Sequence, residues 1–125
     1  MRYIMIMWVF ISQSIVAHEW TPTYPELRLS HIRDIYKLEM KLFNSREDTE
    51  WYRINVFTKD WDTVPFALQG SQTVVNVKYQ QTRWFDVYIR KRDIDRAEYV
   101  CSRSKLLEED VTKPMFFSRI CSKIK

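Results

Sequence analysis

Apolar and polar residues alternate with a period of two along several short segments of this chain. The clearest case is residues 36–42, in which every second residue is large and apolar: Tyr36, Leu38, Met40 and Leu42. The residues between them are charged. Because successive side chains of a β-strand point to opposite faces of a sheet, this pattern predicts a strand with one buried face and one solvated face.

The alternation recurs often enough to indicate a fold class. Turn-forming residues at 44–48, 60–62 and 70–72 separate the alternating segments. The predicted strands are residues 26–30, 36–42, 51–57, 64–68, 73–79, 84–90 and 97–103. About seven short strands, without a long segment of helical periodicity, predict an all-β, immunoglobulin-like antiparallel β-sandwich. Pro65 has no N–H group for a strand ladder, so it predicts an edge or a crossover within 64–68.

The composition excludes several classes of enzyme. The chain has one glycine, Gly70, whereas phosphate-binding loops, dinucleotide-binding turns and the nucleophile elbow each need at least two. The sequence shows no Ser-His-Asp set in a recognisable context, no Cys-His pair at an interpretable spacing and no carboxylate pair in an evident pocket. We therefore predict a protein that is not an enzyme and that carries no cofactor.

The first 17 residues have the pattern of a secretory signal peptide. Arg2 supplies a positive charge, and residues 3–11 are uncharged and mostly apolar. This apolar stretch is shorter than the roughly 20 residues that span a bilayer. Ala17 marks the predicted cleavage site, with Ser14 as an alternative, and a buried N-terminal strand is the competing interpretation. The pattern predicts an exported protein, periplasmic or extracellular, without membrane association after cleavage.

The two cysteines, Cys101 and Cys121, both fall after the predicted cleavage site. An even number of cysteines in an exported chain favours a disulfide, although two free thiols or a metal pair are alternatives. The predicted organisation is a signal peptide at 1–17, a β-sandwich at 18–110, and a C-terminal tail at 111–125 that the disulfide ties back to the last strand.

Parts of the sequence resemble three known families. The pattern Asp95-x-Ala97-x-Tyr99-x-Cys101 resembles the tyrosine corner of immunoglobulin domains. Residues 36–104, with their alternating strands and charged turns, resemble the N-terminal domain of PapD-type periplasmic chaperones. Residues 18–25 and 118–123 resemble small signal-peptide-bearing proteins of tailed marine cyanophages. These resemblances imply an immunoglobulin-like interaction module, in a virion or as an accessory protein of infection.

Several aromatic residues alternate with the predicted core residues and therefore fall on the opposite faces of their strands. The candidates for an interaction surface are Trp51, Trp84 and Tyr88. Exposed aromatic patches are typical of interfaces, so these residues predict binding to a protein partner or self-assembly. Cover by the tail, which contains Phe116 and Phe117, is the alternative interpretation.

Other constellations allow further binding hypotheses. Cleavage after Ala17 would make His18 the N-terminal residue, and with His31 it could bind copper in an exported protein.

Asp60 and Asp62, with Glu50 or Asp48, could hold calcium, although this set offers few oxygen ligands. A basic segment at 90–105 includes acidic residues that cancel much of its charge, so we predict no binding to nucleic acid.

Overall fold

The computed structural model describes residues 18–69, 72–105 and 119–124, and most of the regular structure in these ranges is β-strand. The elements are β1 (His18–Thr21), β2 (Arg28–Leu29), β3 (Ile35–Asn44), β4 (Trp51–Phe57), β5 (Thr63–Val64), β6 (Ala67–Leu68), β7 (Val74–Asn76), β8 (Thr82–Arg90), α1 (Lys91–Ile94), β9 (Tyr99–Lys105) and β10 (Arg119–Lys123). Each strand pair in the described ranges is antiparallel.

The strands form two sheets that pack face to face. In the first, the β3 sheet, the order is β1-β3-β8-β6, and β2 also pairs with β3. In the second, the β4 sheet, the order is β10-β9-β4-β5, and β7 also pairs with β4. Both sheets contribute to one cluster of buried apolar side chains. The predicted immunoglobulin-like antiparallel β-sandwich is therefore confirmed.

The predicted apolar stripes of the central strands form this core. The hydrophobic residues with no solvent exposure in β3, β4 and β8 are Leu38, Met40, Leu42, Tyr52, Ile54, Val56, Val87 and Ile89. Complete burial of a large apolar side chain contributes about 1.5–3 kcal/mol. A shift of one residue along any of these strands would turn its whole stripe toward water, so burial specifies the register of the ladders.

Pro65 lies where the chain crosses from one sheet to the other. β5 pairs with β4, and the next strand, β6, pairs with β8 in the opposite sheet. Residues 65–66 connect the two and belong to neither strand. Since proline cannot donate to a ladder, its position between the sheets causes no loss of a strand hydrogen bond.

Two strands lie outside the predicted set. β1 pairs with the end of β3, so that Trp20 faces Leu42. β10, which falls in the predicted tail, pairs with β9, so that Ser122 faces Val100. Conversely, the predicted strand at 26–30 is reduced to the two residues of β2.

The inward face of β9 also differs from the predicted one. The alternation over residues 97–103 predicts that Ala97, Tyr99 and Cys101 share the inward face. Ala97, which precedes β9, does pack in the core, but within β9 the alternate residues Val100, Ser102 and Ser104 point toward it. Ser102 can face inward because its hydroxyl bonds to His18 of the opposite sheet. Ser104 can do so because its hydroxyl accepts a hydrogen bond from Arg46, which follows β3. The alternation over residues 73–79 likewise predicts that Tyr79 shares the inward face with Val75 and Val77, but Tyr79 follows the end of β7 and is 47% exposed.

The predicted disulfide between Cys101 and Cys121 is present in the structure. The two residues lie directly opposite each other in the β9–β10 ladder, with their Cα atoms 4.1 Å apart. Neither cysteine is therefore a free thiol or a metal ligand. The bond fixes β10, the outermost strand of the described β4 sheet, to its neighbour.

Parts of the predicted organisation fall outside the described residues. These are the signal peptide at 1–17 and the segment 106–118, which contains Phe116, Phe117 and much of the predicted tail. Within the described ranges, no helix has the length and apolar character needed to cross a membrane.

Candidate interaction site

The outer face of the β3 sheet is built from the residues that alternate with the core stripes of β3 and β8. The register places Lys41 opposite Trp84 and Lys37 opposite Tyr88. Side chains at directly opposite positions on one face have their Cβ atoms about 4.5–5.5 Å apart. This face therefore presents aromatic rings beside lysine side chains.

Trp84 is the most exposed aromatic residue in the described part of the chain, with 66% of its surface open to solvent. The ammonium nitrogen of Lys41 lies 5.5 Å from the centroid of its ring. A cation–π contact of this kind helps to orient the indole and leaves its outer surface in water. Because Trp84 lies within the β3–β8 ladder, its ring is presented by a strand and not by a loop.

A groove of about 450 Å³ lies beside this ring. Its aromatic and charged lining residues are Tyr24, Glu26, Arg28, Glu39, Lys41 and Trp84. The first three come from the segment that runs from β1 into β2, and the others from the sheet itself. Tyr24 is 58% exposed, so two aromatic rings border the opening. We call this feature the Trp84 groove.

The chemistry of the Trp84 groove suits a ligand with both apolar and polar groups. Its aromatic rings offer a large contact area at a low cost in side-chain entropy. Its lining carries two carboxylates and two cations, so its charges of opposite sign are interspersed. Such a lining complements a surface of mixed charge better than a uniformly charged polymer.

The other two predicted interaction residues are placed differently. Tyr88 shares the outer face with Trp84, because both are at alternate positions of β8, and it is half-buried opposite Ala67 of β6. Trp51 is the first residue of β4 and is half-buried in the other sheet. The structure thus brings Trp84 and Tyr88 to one face and places Trp51 on a different one.

A second aromatic cluster, absent from the sequence predictions, lies on the outer face of the β4 sheet. The ring of Trp61 stacks on that of Tyr99, with centroids 4.7 Å apart. The guanidinium of Arg119 lies 4.9 Å from the Trp61 centroid, and Trp61 is 46% exposed. Phe57 of β4 also lies beside Trp61, with ring centroids 5.8 Å apart. The sequence identifies Trp61 only as the centre of a turn, because Tyr99 and Arg119 come from β9 and β10, far away in the chain.

The structure does not bring His18 and His31 together. His18 pairs with Asn44 at the end of β3, whereas His31 precedes Ile35, the first residue of that strand. A strand of this length spans roughly 30 Å, which is far beyond the reach of one metal ion. The side chain of His18 is also buried. This geometry gives no support to a copper site shared by the two histidines.

His18 instead belongs to a buried polar network at one end of the core. Its Nε2 atom lies 2.9 Å from the hydroxyl of Ser102, and its ring centroid lies 4.9 Å from that of Tyr52. Burial, followed by the positive charge of Arg46, lowers the pKa of His18 from 6.5 to about 4. Burial raises the pKa of Tyr52 to about 12. Both side chains are therefore neutral at neutral pH.

We expect mild acid to destabilise the fold through His18. The unfolded chain takes up a proton with the ordinary pKa of 6.5, whereas the folded chain does so only near pH 4. The stabilisation is therefore complete well above pH 6.5 and decreases as the pH falls through the window from 6.5 to 4. At pH 5 the loss should be about 2 kcal/mol. Urea unfolding at a series of pH values measures it.

A His18→Gln variant is the control, because its longer amide can reach the position of Nε2 and bond to Ser102 but does not titrate. Between pH 7.5 and 5 its free energy of unfolding should fall by about 2 kcal/mol less than that of the wild type. Asp93 does not interfere with this measurement. Hydrogen bonds from Arg96 and Arg90 lower its pKa, so its contribution to stability is lost mainly below its ordinary pKa of 3.8. An identical pH dependence of both proteins would contradict the prediction.

Asp60 and Asp62 of the calcium hypothesis lie in an exposed turn after β4, whereas Asp48 and Glu50 precede that strand, at its other end. The backbone N–H groups of Asp60 and Asp62 both donate to the hydroxyl oxygen of Thr58, at 3.2 and 3.1 Å. In residues 18–69, 72–105 and 119–124, no three His, Cys, Asp or Glu side chains gather in a way that could hold a metal ion. The turn has a structural explanation in its own hydrogen bonds.

Comparisons with known proteins give one resemblance. No family model matches the chain, and no curated protein matches it. Among solved structures, it is similar to an ASH/PapD-like domain of human CEP192, the PapD-like domain 7. The two are 8% identical, with a TM-score of 0.49 over 99% of this chain and 98% of that one.

Proposed function

We propose that this chain is an exported, non-enzymatic module that binds a protein partner through the Trp84 groove. The observation that carries the proposal is the exposure of Trp84, which is 66% open to solvent on a strand at the centre of its sheet. Exposed apolar patches are typical of interaction sites, and tryptophan is enriched among the residues that dominate binding energy.

The groove can supply useful affinity. Covering most of an exposed tryptophan ring removes roughly 100–150 Å² of apolar surface from water, which contributes about 3 kcal/mol. The ladder already holds the backbone of Trp84, so little conformational entropy is lost on binding. Tyr24, which also lines the groove, enlarges the apolar contact.

The charges around the ring favour a protein as the partner. Glu26 and Glu39 can accept hydrogen bonds, whereas Arg28 and Lys41 can donate them. A folded surface or an extended peptide carries both kinds of group. Nucleic acid, in contrast, requires a positive surface along its backbone.

A binding role also agrees with the positions of the titratable groups. The two described residues with large pKa shifts, His18 and Tyr52, are enclosed in the core and do not line the Trp84 groove. A catalytic site usually places such groups in an open cleft, beside the substrate.

The proposal also includes export of the chain from the cytoplasm. The disulfide supports it, because such bonds persist mainly in oxidising compartments. The leader pattern at 1–17 supports it as well, and the resemblance to cyanophage proteins suggests a virion or infection-related setting. N-terminal sequencing of protein from the producing cells should begin after Ala17 or Ser14, and material that begins at Met1 would contradict export by signal cleavage.

The binding proposal is tested with Trp84→Ala and with Trp61→Ala as a matched control. Trp61 is an exposed tryptophan on the other sheet. Crosslinking with wild-type bait identifies the partner, whose affinity for each purified variant is then measured. We expect Trp84→Ala to weaken binding about tenfold or more and Trp61→Ala to change it little.

Melting temperatures separate a loss of binding from a loss of folding. Trp84→Ala should melt close to the wild type, whereas Trp61→Ala loses its stack on Tyr99 and should melt a few degrees lower. Equal weakening by the two substitutions, or normal binding by Trp84→Ala, would refute the role of the groove. Size-exclusion chromatography tests in parallel whether the partner is a second copy of this chain.

A further inference from the structure

A second concave feature lies at the opposite end of the outer face of the β3 sheet. It is a cleft of about 800 Å³ between the start of β3 and the end of β8. Its lining residues are Arg33, Asp34, Ile35, Arg90, Lys91 and Arg92. Four of these six side chains are cationic. We call this feature the basic cleft.

Three of the four cations are available to a ligand. Arg90 forms an ion pair with Asp93, with 2.8 Å between its nitrogen and the carboxylate oxygen. Within the described ranges, Arg33, Lys91 and Arg92 take part in no ion pair. Asp34 is the one carboxylate that lines the cleft. Together with these three cations it gives the cleft a local charge of +2.

The two segments that carry these charges are fixed to each other. The backbone N–H group of Lys91 donates to the carbonyl oxygen of Asp34, at 2.8 Å. The loop before β3 is closed by a bond from the N–H group of Ser30 to the carbonyl oxygen of Ile35, at 3.0 Å. The backbone of the cleft is therefore in place before any ligand arrives, which reduces the entropic cost of binding.

We propose that the basic cleft binds a compact organic anion that carries clustered phosphate or sulfate ester groups. Guanidinium groups offer paired N–H donors that match the oxygens of such esters, and a lysine adds a mobile point charge. The volume lies in the range of about 300–1,000 Å³ that is typical of sites for small molecules, so it exceeds the needs of a single inorganic ion. Ile35 and the methylene stems of the basic residues provide apolar contacts for the ligand's framework.

A row of arginines on the other sheet provides the natural comparison. Arg53 of β4, Arg103 of β9 and Arg119 of β10 are directly opposite one another across three strands. This row is also basic and exposed, but it lies on the face of a sheet and not in a cleft. A ligand attracted only by the positive charge of the protein would use both surfaces, whereas a compact ligand should prefer the cleft, because cations converge there from two segments.

Titration calorimetry with two probes tests the proposal on the full chain. The probes are myo-inositol hexakisphosphate and sucrose octasulfate, which distinguish a preference for phosphate from one for sulfate. We expect the wild type to bind at least one of them with a one-to-one stoichiometry. Arg33→Gln/Lys91→Gln/Arg92→Gln should weaken this binding about tenfold or more, because each removed contact costs a few tenths to one kcal/mol.

The matched control is Arg53→Gln/Arg103→Gln/Arg119→Gln, which removes the same total charge from the arginine row. It should change the affinity by less than about threefold. The single variant Arg92→Gln, expected to weaken binding by about threefold, guards against a folding defect in the triple variant. Equal weakening by the two triple variants, or no binding of either probe to the wild type, would overturn the proposal. If a single-stranded oligonucleotide bound at the cleft more tightly than both probes, the choice of a compact anion as the ligand would be overturned.

Discussion

Asn44→Ala is expected to lower the free energy of unfolding by about 4 kcal/mol. The side chain of Asn44 has no solvent exposure and makes four hydrogen bonds. Its Nδ2 group donates to the carbonyl oxygens of Thr49 and Val77, each at 2.8 Å. Its Oδ1 atom accepts from the backbone N–H group of Arg46 and from the hydroxyl of Tyr52. Alanine would leave these buried partners unsatisfied, and equilibrium unfolding in urea measures the cost.

Two further variants make this prediction specific. Asn55→Ala changes the same residue type at a half-buried position of β4, where the described residues give no side-chain hydrogen bond, and should cost about 0.5 kcal/mol or less. Tyr52→Phe removes one of the four bonds and should cost about 1 kcal/mol. If Asn44→Ala were no more destabilising than Asn55→Ala, the network would not have the structural role assigned to it.

Removal of the disulfide, as in Cys101→Ala/Cys121→Ala, is expected to cost about 3 kcal/mol. The two cysteines are 20 positions apart in the sequence, and the bond closes the loop between β9 and β10 in the unfolded chain as well as in the folded one. Without it, the unfolded chain gains conformational freedom, and β10 must find its place at the edge of the β4 sheet without a covalent link. Unfolding in guanidinium chloride measures the difference.

The reduced wild-type protein is the natural control for this variant. Treatment with a phosphine reductant should lower the stability of the wild type by a similar amount and should leave the variant unchanged. A variant as stable as the oxidised wild type would show that β10 is held by its ladder, by the core residue Ile124 and by Ile120, which packs against the core.

The central strands of this sandwich could be predicted from the sequence because their faces differ sharply in polarity. β4 has the predicted bounds, and the stripes of β3 and β8 are buried as their alternation indicates. β1 could not be predicted in the same way. It has only four residues, and one of its two buried residues is His18. A histidine is not expected in a core stripe, and this one is accommodated by its hydrogen bond to Ser102 of the opposite sheet.

The inward face of β9 differs from the one that the sequence predicts for a related reason. Its inward residues include Ser102 and Ser104, whose polarity suggests solvent exposure, and their partners come from segments more than 50 positions away. The same limit applies to the candidate site. The alternation within β8 indicates that Trp84 points outward. The Trp84 groove is also lined by Tyr24 and Arg28, and no local sequence pattern predicts that these residues lie beside Trp84 in the fold.

The pairing order of the strands also determines how fast this chain can fold. The longest ladders join distant segments: Ile35 lies opposite Arg90, and Trp51 lies opposite Lys105. Large loops must therefore close before the central contacts form, and such topologies fold over roughly milliseconds to seconds, not the microseconds of small helical bundles. During that interval the unpaired edges of β3 and β4 are open to other chains, so refolding yield should decrease as protein concentration rises.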